Sequence, residues 1–208
     1  MSGTELSISR FASPVRTLGP GVRAVVWVRG CPLRCPGCIA VEDLDFEGGL
    51  RTTVGALAEQ ISALPAEVTG VTFSGGEPMA QAAALAEVVD VIRAGRDWSV
   101  MAYSGFTLDH LTRHGDAGQR ALLDRLDILV DGPYMRARHA DLAWRGSDNQ
   151  RVHLLSARHV MPDPDTSAGI EFHVEADSVT FVGVPPVPGF RKSFEDAVRD
   201  EGVVLSPE

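Results

Sequence analysis

The sequence predicts an α/β fold built on a parallel sheet, followed by a C-terminal β-hairpin and helix. Three observations predict it. Short runs rich in Val, Ile and Trp alternate with longer runs of helical periodicity between Val22 and Leu155. The loops of unusual composition follow strands directly, as they do where strand ends carry a site. Beyond Val160 the alternation stops, and a proline-flanked break leads into two short alternating runs and a last helix.

Each element follows from its pattern. Val22 to Arg29 reads as a strand. Thr53 to Leu64 is helical, with Val54, Leu57, Ile61 and Leu64 on one face. Val68 to Ser74 is the second strand. Met79 to Arg93 is the clearest helix: Leu85, Val88, Val89 and Ile92 share a face, and Pro78 suits the first turn. Trp98 to Ser104 is the third strand. Thr107 to Leu123 is a helical region interrupted near Gly115 and Gly118. Leu126 to Asp131 and Val152 to Leu155 complete the strands. The break spans Met161 to Gly169, with Pro162 and Pro164. Ile170 to Glu175 and Val179 to Val184 form a hairpin around Ala176, Asp177 and Ser178. Pro185, Pro186 and Pro188 end it, and Phe190 to Glu201 is the terminal helix, with Phe190, Phe194 and Val198 on one face. The expected division is a core of residues 1–160 and an extension of residues 161–208.

With 208 residues, the chain can form one compact domain with a small appendage. No apolar run is long enough to span a bilayer, and Met1 to Arg10 carry no signal core, so a cytoplasmic protein away from membranes is expected. A net charge of -9 argues against a nucleic-acid partner, which would be held through phosphates.

The cysteines carry the chemistry. All three lie in Gly30-Cys31-Pro32-Leu33-Arg34-Cys35-Pro36-Gly37-Cys38, a C-x3-C-x2-C array. An odd number packed this tightly is a poor disulfide framework, so metal ligation is the default reading. Three thiolates on one loop can hold three corners of a 4Fe–4S cube. No fourth cysteine exists, so one iron would stay open, as reactive metal centres require. A Cys3His zinc site is the alternative; the nearest histidine in sequence is His110. A second motif lies one βα unit later: Val71-Thr72-Phe73-Ser74-Gly75-Gly76-Glu77-Pro78, two glycines at a strand end where a ligand or backbone can approach closely.

Cysteine spacing and glycine turn together resemble the radical S-adenosylmethionine (SAM) superfamily. Within it the chain is most similar to the activating enzymes of anaerobic ribonucleotide reductase, and more distantly to those of pyruvate formate-lyase. The matching stretches run in order: Gly19 to Cys38 with Asp45 to Gly49 after it, Val71 to Pro78, Ala102 to Leu111, Leu126 to Tyr134, and Arg145 to Arg151. The resemblance implies an incomplete parallel (β/α) barrel of the radical SAM type. It implies that Cys31, Cys35 and Cys38 hold one 4Fe–4S cluster whose open iron chelates SAM. It places Gly75, Gly76, Glu77 and Pro78 around the methionine portion, Tyr103 and Ser104 near methionine or ribose, and Asp131, Asn149 and Gln150 deeper, near SAM or substrate. For Asp131, a turn role before Gly132 and Pro133 is an equal alternative.

The implied reaction is reductive cleavage of SAM to a 5′-deoxyadenosyl radical that takes hydrogen from a glycine in a glycyl-radical enzyme. A flavodoxin- or ferredoxin-type reductant would supply the electron. Gly37 stands where many superfamily members have an aromatic residue, as it does in the ribonucleotide reductase activase type; the departures from that type are Ile39, where an aromatic tends to follow the third cysteine, and Glu77, where Asp is often found. The competing readings are a radical SAM enzyme that modifies a peptide or small metabolite, and a non-catalytic metal-binding interaction module.

Overall fold

The structure, a computed structural model, describes residues 3–163, 166–167, 169–174 and 179–200. Pro164 of the expected break, the hairpin end Glu175, the turn Ala176 to Ser178 and the helix end Glu201 lie outside them.

The chain opens with β1 (Glu5–Val15), in which Leu6 and Ile8 are buried between Ser7 and Ser9. This strand is absent from the expected set. It pairs antiparallel with β2 (Arg23–Val28), whose six residues are all buried. A strand covered on both faces reads as a continuous apolar run, which is why β2 shows no alternation. After the cysteine loop, β3 (Leu50–Thr53) pairs antiparallel with β1 as a further unforeseen strand. Helix α1 (Val54–Ser62) is capped by Thr53, whose Oγ1 accepts the Ala56 N–H, and buries Val54, Leu57 and Ile61 as its periodicity requires.

Next comes β4 (Gly70–Gly75), parallel to β2. Helix α2 (Ala82–Gly95) begins three residues later than expected, because Pro78–Gln81 form a 3-10 turn capped by Glu77. Its Leu85, Val88, Val89 and Ile92 are buried. Strand β5 (Ser99–Ser104) continues the parallel set. The helical region divides at Gly115 into α3 (Leu108–His114) and α4 (Ala117–Leu123), the latter opened by an Asp116–Gln119 capping box. Gly118 lies inside α4 and does not interrupt it; a Cβ there would come within 3.0 Å of Ala83, so it serves the close approach of α4 to α2.

Strand β6 (Ile128–Asp131) is the last parallel one. A small hairpin, β7 (His139–Leu142) with β8 (Arg145–Ser147), follows and returns the chain as β9 (Arg151–Leu154), antiparallel to β6. A parallel return needs a long crossover, usually a helix, and this stretch is a hairpin instead. The sheet is therefore mixed, in the order β3-β1-β2-β4-β5-β6-β9, and parallel only over its four central strands.

Helices α1, α2 and α4 cover one face, packing on Val26, Val28, Val71, Phe73, Val100 and Leu129. The other face is covered in part by a C-terminal hairpin. The C-terminal strands β10 (Ile170–Val174) and β11 (Val179–Gly183) pair antiparallel, and Val182 and Val184 join Val15, Leu18, Val25 and Trp27. Glu171 accepts the backbone N–H groups of Arg16 and Thr17, which ties the hairpin down. Helix α5 (Phe190–Asp200) lies on this hairpin: Phe194 meets Phe172 at 5.0 Å and Phe190 meets Phe181 edge-on at 6.0 Å. Among the described residues no helix is long and apolar enough to cross a membrane.

At the N-terminal ends of the strands sits Arg23, fully buried among neutral acceptors. Its guanidinium donates to Thr72 Oγ1 and the Val71 carbonyl, each at 2.6 Å, and to Ser99. Burial lowers its pKa to about 10. The opposite ends of the same strands carry the cysteine loop, the glycine turn, Gly105 and the 131–134 loop, all at one edge of the sheet.

Candidate active site

The cysteine loop begins at a glycine that the packing requires. Gly30, at the exit of β2, has φ +92°, and a Cβ there would fall 2.3 Å from the Phe46 ring. Its N–H donates to the Asp43 carbonyl and Cys31 N–H to that of Leu44, so the loop closes on its own return segment. Cys38 N–H donates to the Cys35 carbonyl, which closes a tight turn between the two last cysteines. Cys31 is buried; Cys35 and Cys38 are half-buried. Burial raises the thiol pKa of both, with neighbouring Cys31 adding to the rise at Cys35.

The glycine turn is welded to this loop. Gly76 N–H donates to the Val28 carbonyl and Glu77 N–H to the Gly30 carbonyl, both at 2.8 Å. A Cβ on Gly76 would lie 2.4 Å from that Gly30 oxygen and 2.8 Å from the Asp43 oxygen. Gly76 is thus dictated first by the backbone of the cysteine loop. Glu77 is 1% exposed; Oε1 accepts Met79 N–H at 2.9 Å and Oε2 accepts Gly105 N–H at 2.8 Å. Burial raises its pKa to about 7, against the lowering effect of those donors.

One cavity of about 190 Å³ gathers most of the residues singled out in the sequence: Cys31, Cys35 and Cys38, Gly75, Gly76 and Glu77, Tyr103, Ser104 and Gln150. Tyr103 also lines it; its hydroxyl is buried with no hydrogen-bond partner among the described residues, and burial raises its pKa. Gln150 is held by its own hydrogen bonds: Oε1 accepts Gly146 N–H, and Nε2 donates to the Gly132 carbonyl.

Three expected residues do not line this cavity. Pro78 is buried in the turn that begins the 3-10 segment. Asp131 caps α3, accepting Leu108 N–H at 2.6 Å, with His153 Nε2 at 3.1 Å from the same oxygen. Asn149 donates its side-chain amide to the Pro133 carbonyl. Unforeseen lining residues are Trp27, Leu33, Tyr134, Gly146 and, from the hairpin, Gly183 and Val184. Of these only Gly146 stood within a quoted motif as a bare glycine, a signal of close approach; Ile39 fills the space beside it.

A second, outer cavity of about 530 Å³ shares Cys35, Cys38, Ile39 and Tyr134 with the first. The two thiols therefore stand where the two spaces meet. Among the described residues, no three His, Cys, Asp or Glu side chains are gathered to hold one metal ion. A cube takes each thiolate on a separate iron, so three thiols spread around one cavity suit it. The donor set, the open space beside it and the unpartnered Tyr103 hydroxyl fit a cluster with a polar cosubstrate.

Comparison with known proteins agrees. Residues 17–153 match the family described as a 4Fe-4S single cluster domain. An anaerobic ribonucleoside-triphosphate reductase-activating protein of Vibrio cholerae is 34% identical over 143 residues, 65% of this chain and 89% of the relative. One from Escherichia coli K12 is 33% identical over 147 residues, 66% of this chain and 91% of the relative. A pyruvate formate-lyase-activating enzyme of Clostridium pasteurianum is 28% identical over 121 residues, 55% of this chain and 50% of the relative. The class is a radical SAM enzyme, with a 4Fe–4S cluster and SAM as its cofactors. Within that class, the chain belongs to the family of the anaerobic ribonucleoside-triphosphate reductase-activating proteins.

Proposed function

We propose that this chain installs the glycyl radical of a partner enzyme of the anaerobic ribonucleotide reductase type, working in the cytoplasm with a flavodoxin or ferredoxin as reductant. Cys31, Cys35 and Cys38 hold the cluster. When bound, cluster and SAM supply a one-electron cleavage of the sulfonium that releases a 5′-deoxyadenosyl radical for hydrogen abstraction. Everything else falls to the protein. The Gly75–Glu77 turn positions the methionine end, because its N–H groups and Glu77 already fix it against the cysteine loop. Glu77 keeps free lone pairs on both oxygens for an ammonium group. The Tyr103 hydroxyl offers a donor at the cavity wall, and Trp27, Leu33 and Val184 keep water from the space. The fold is a partial (β/α) barrel of the radical SAM type, with residues 1–160 as core and 161–208 as a substrate-facing extension.

The single observation that carries this reading is that three thiols and the glycine turn line one cavity at the C-terminal edge of the parallel strands. Its test is anaerobic reconstitution. About four irons per chain are expected, with reduced protein converting SAM to 5′-deoxyadenosine and methionine. An electron paramagnetic resonance signal of a glycyl radical should then appear in the partner. Stoichiometric zinc with no iron uptake would sink the cluster; SAM cleavage with no glycyl radical in the partner would sink the activase. A second reading, modification of a different peptide or a metabolite, is favoured by one observation: residues past 153 lie outside the matched family yet line both cavities.

A further inference from the structure

The outer cavity has two unlike walls. One is the cysteine loop with Cys35, Gly37 and Cys38. The other comes from the segment beyond the family match, with Pro185, Val187 and Phe190. Between them lies Arg136. Its aliphatic stem rests on Gly37: a Cβ built there would meet Arg136 Cδ at 2.9 Å and Cβ at 3.3 Å. A side chain at position 37 would push Arg136 away, so the bare glycine in the cysteine loop and the arginine above it are one arrangement.

The charges around Arg136 are spoken for. Lys192 pairs with Asp196, and neither Glu42 nor Glu195, the two lining carboxylates, is free. Arg136 itself has no ion pair among the described residues. Beside it, His139 lines the same space; its Nδ1 is 3.0 Å from the Tyr134 hydroxyl, and its buried Nε2 has no hydrogen-bond partner among the described residues. With the phenol donating to Nδ1, Nε2 carries the proton and is a second unmatched donor. A guanidinium and an imidazole N–H, lining the same cavity as Cys35 and Cys38, form a donor pattern that a carboxylate satisfies.

We infer that the outer cavity admits the substrate peptide, and that Arg136, with His139, receives an acidic side chain of that peptide close to the reacting glycine. The inference rests on the peptide-substrate reading above. It assigns Arg136 to substrate selection, reached from the opposite side of the thiols to the Gly75–Glu77 turn. Pro185, Val187 and Phe190 supply an apolar wall of the same cavity, against which the rest of the peptide can pack.

The test uses the reconstituted full-length holoenzyme and short peptides with a central glycine, in which aspartate is walked through the flanking positions against asparagine. Peptide-dependent 5′-deoxyadenosine is the readout. At one or two positions aspartate should lower KM about tenfold relative to asparagine. Arg136→Gln, which keeps most of the stem over Gly37, should erase that difference and Arg136→Lys should keep part of it, with iron content and SAM affinity retained in both. Peptide turnover with no preference for aspartate overturns the inference and leaves the peptide reading standing. So does a preference that survives Arg136→Gln, or a loss confined to SAM affinity. SAM cleavage that no peptide stimulates removes the peptide reading itself, and this inference with it.

Discussion

Gly76 shows how one residue can serve two ends. The sequence marks it as a place for ligand approach, and its space is filled by the carbonyls of Gly30 and Asp43. Gly76→Val should therefore displace the cysteine loop as well as the glycine turn. Iron content after reconstitution should fall together with SAM affinity; a variant with full iron content and weakened SAM binding alone would show that the loop tolerates the change. Glu77 carries a second consequence. Its pKa rises from 4.5 to about 7 on folding, because burial penalises the charged carboxylate. Between those values the unfolded chain binds fewer protons than the fold. Stability from this group is greatest below about pH 4.5 and is lost as pH rises to about 7, by about 3 kcal/mol in all. Urea unfolding of cluster-free protein at either end of this window should show a decline that Glu77→Gln lacks. Equal declines in both proteins would mean that Glu77 is not the group responsible.

Among elements, those with strong periodicity were legible and those defined by partners were not. The buried face of α2 follows from Leu85, Val88, Val89 and Ile92 alone, and the break at Gly115 from its position after the last apolar residue of α3. Strand β1 was missed although Leu6 and Ile8 alternate with serines, because Arg10 to Pro14 blur the pattern. Strand β9 was found but its direction was not: an alternating run looks the same whichever way its neighbour points. The thiols and the glycine turn were legible because they sit in loops after strands. Tyr134, Arg136 and His139 were not, since only packing brings the 131–139 segment over the cysteine loop.

The hairpin β10–β11 offers a direct check on this distinction. Val182 is 2% exposed against Val15, Leu18 and Trp27, whereas Val174 is 72% exposed. Val182→Ala should cost about 2 kcal/mol of unfolding free energy and Val174→Ala close to nothing. Chain ending at Val160 should lose solubility, because Trp27 and Leu18 would face water. Equal losses for the two valines would place the hairpin elsewhere than on the sheet.

At the scale of the whole molecule, helices α1, α2 and α4 guard one face of the sheet, and Val182 and Val184 of the C-terminal hairpin segment help guard the other. The reactive end is built by the four parallel strands, and the far end is plugged by Arg23 with Thr72 and Ser99. The sheet also stays open: β3 and β9 are its two edges. Each edge strand is four residues long and includes an arginine, Arg51 on β3 and Arg151 on β9, both exposed. Unpaired strand edges are templates on which chains stack into fibres, and short, charged edges are a poor template for that. The open sheet is thus bordered by strands ill suited to recruiting another copy of themselves, and it can persist at cellular concentrations without polymerising.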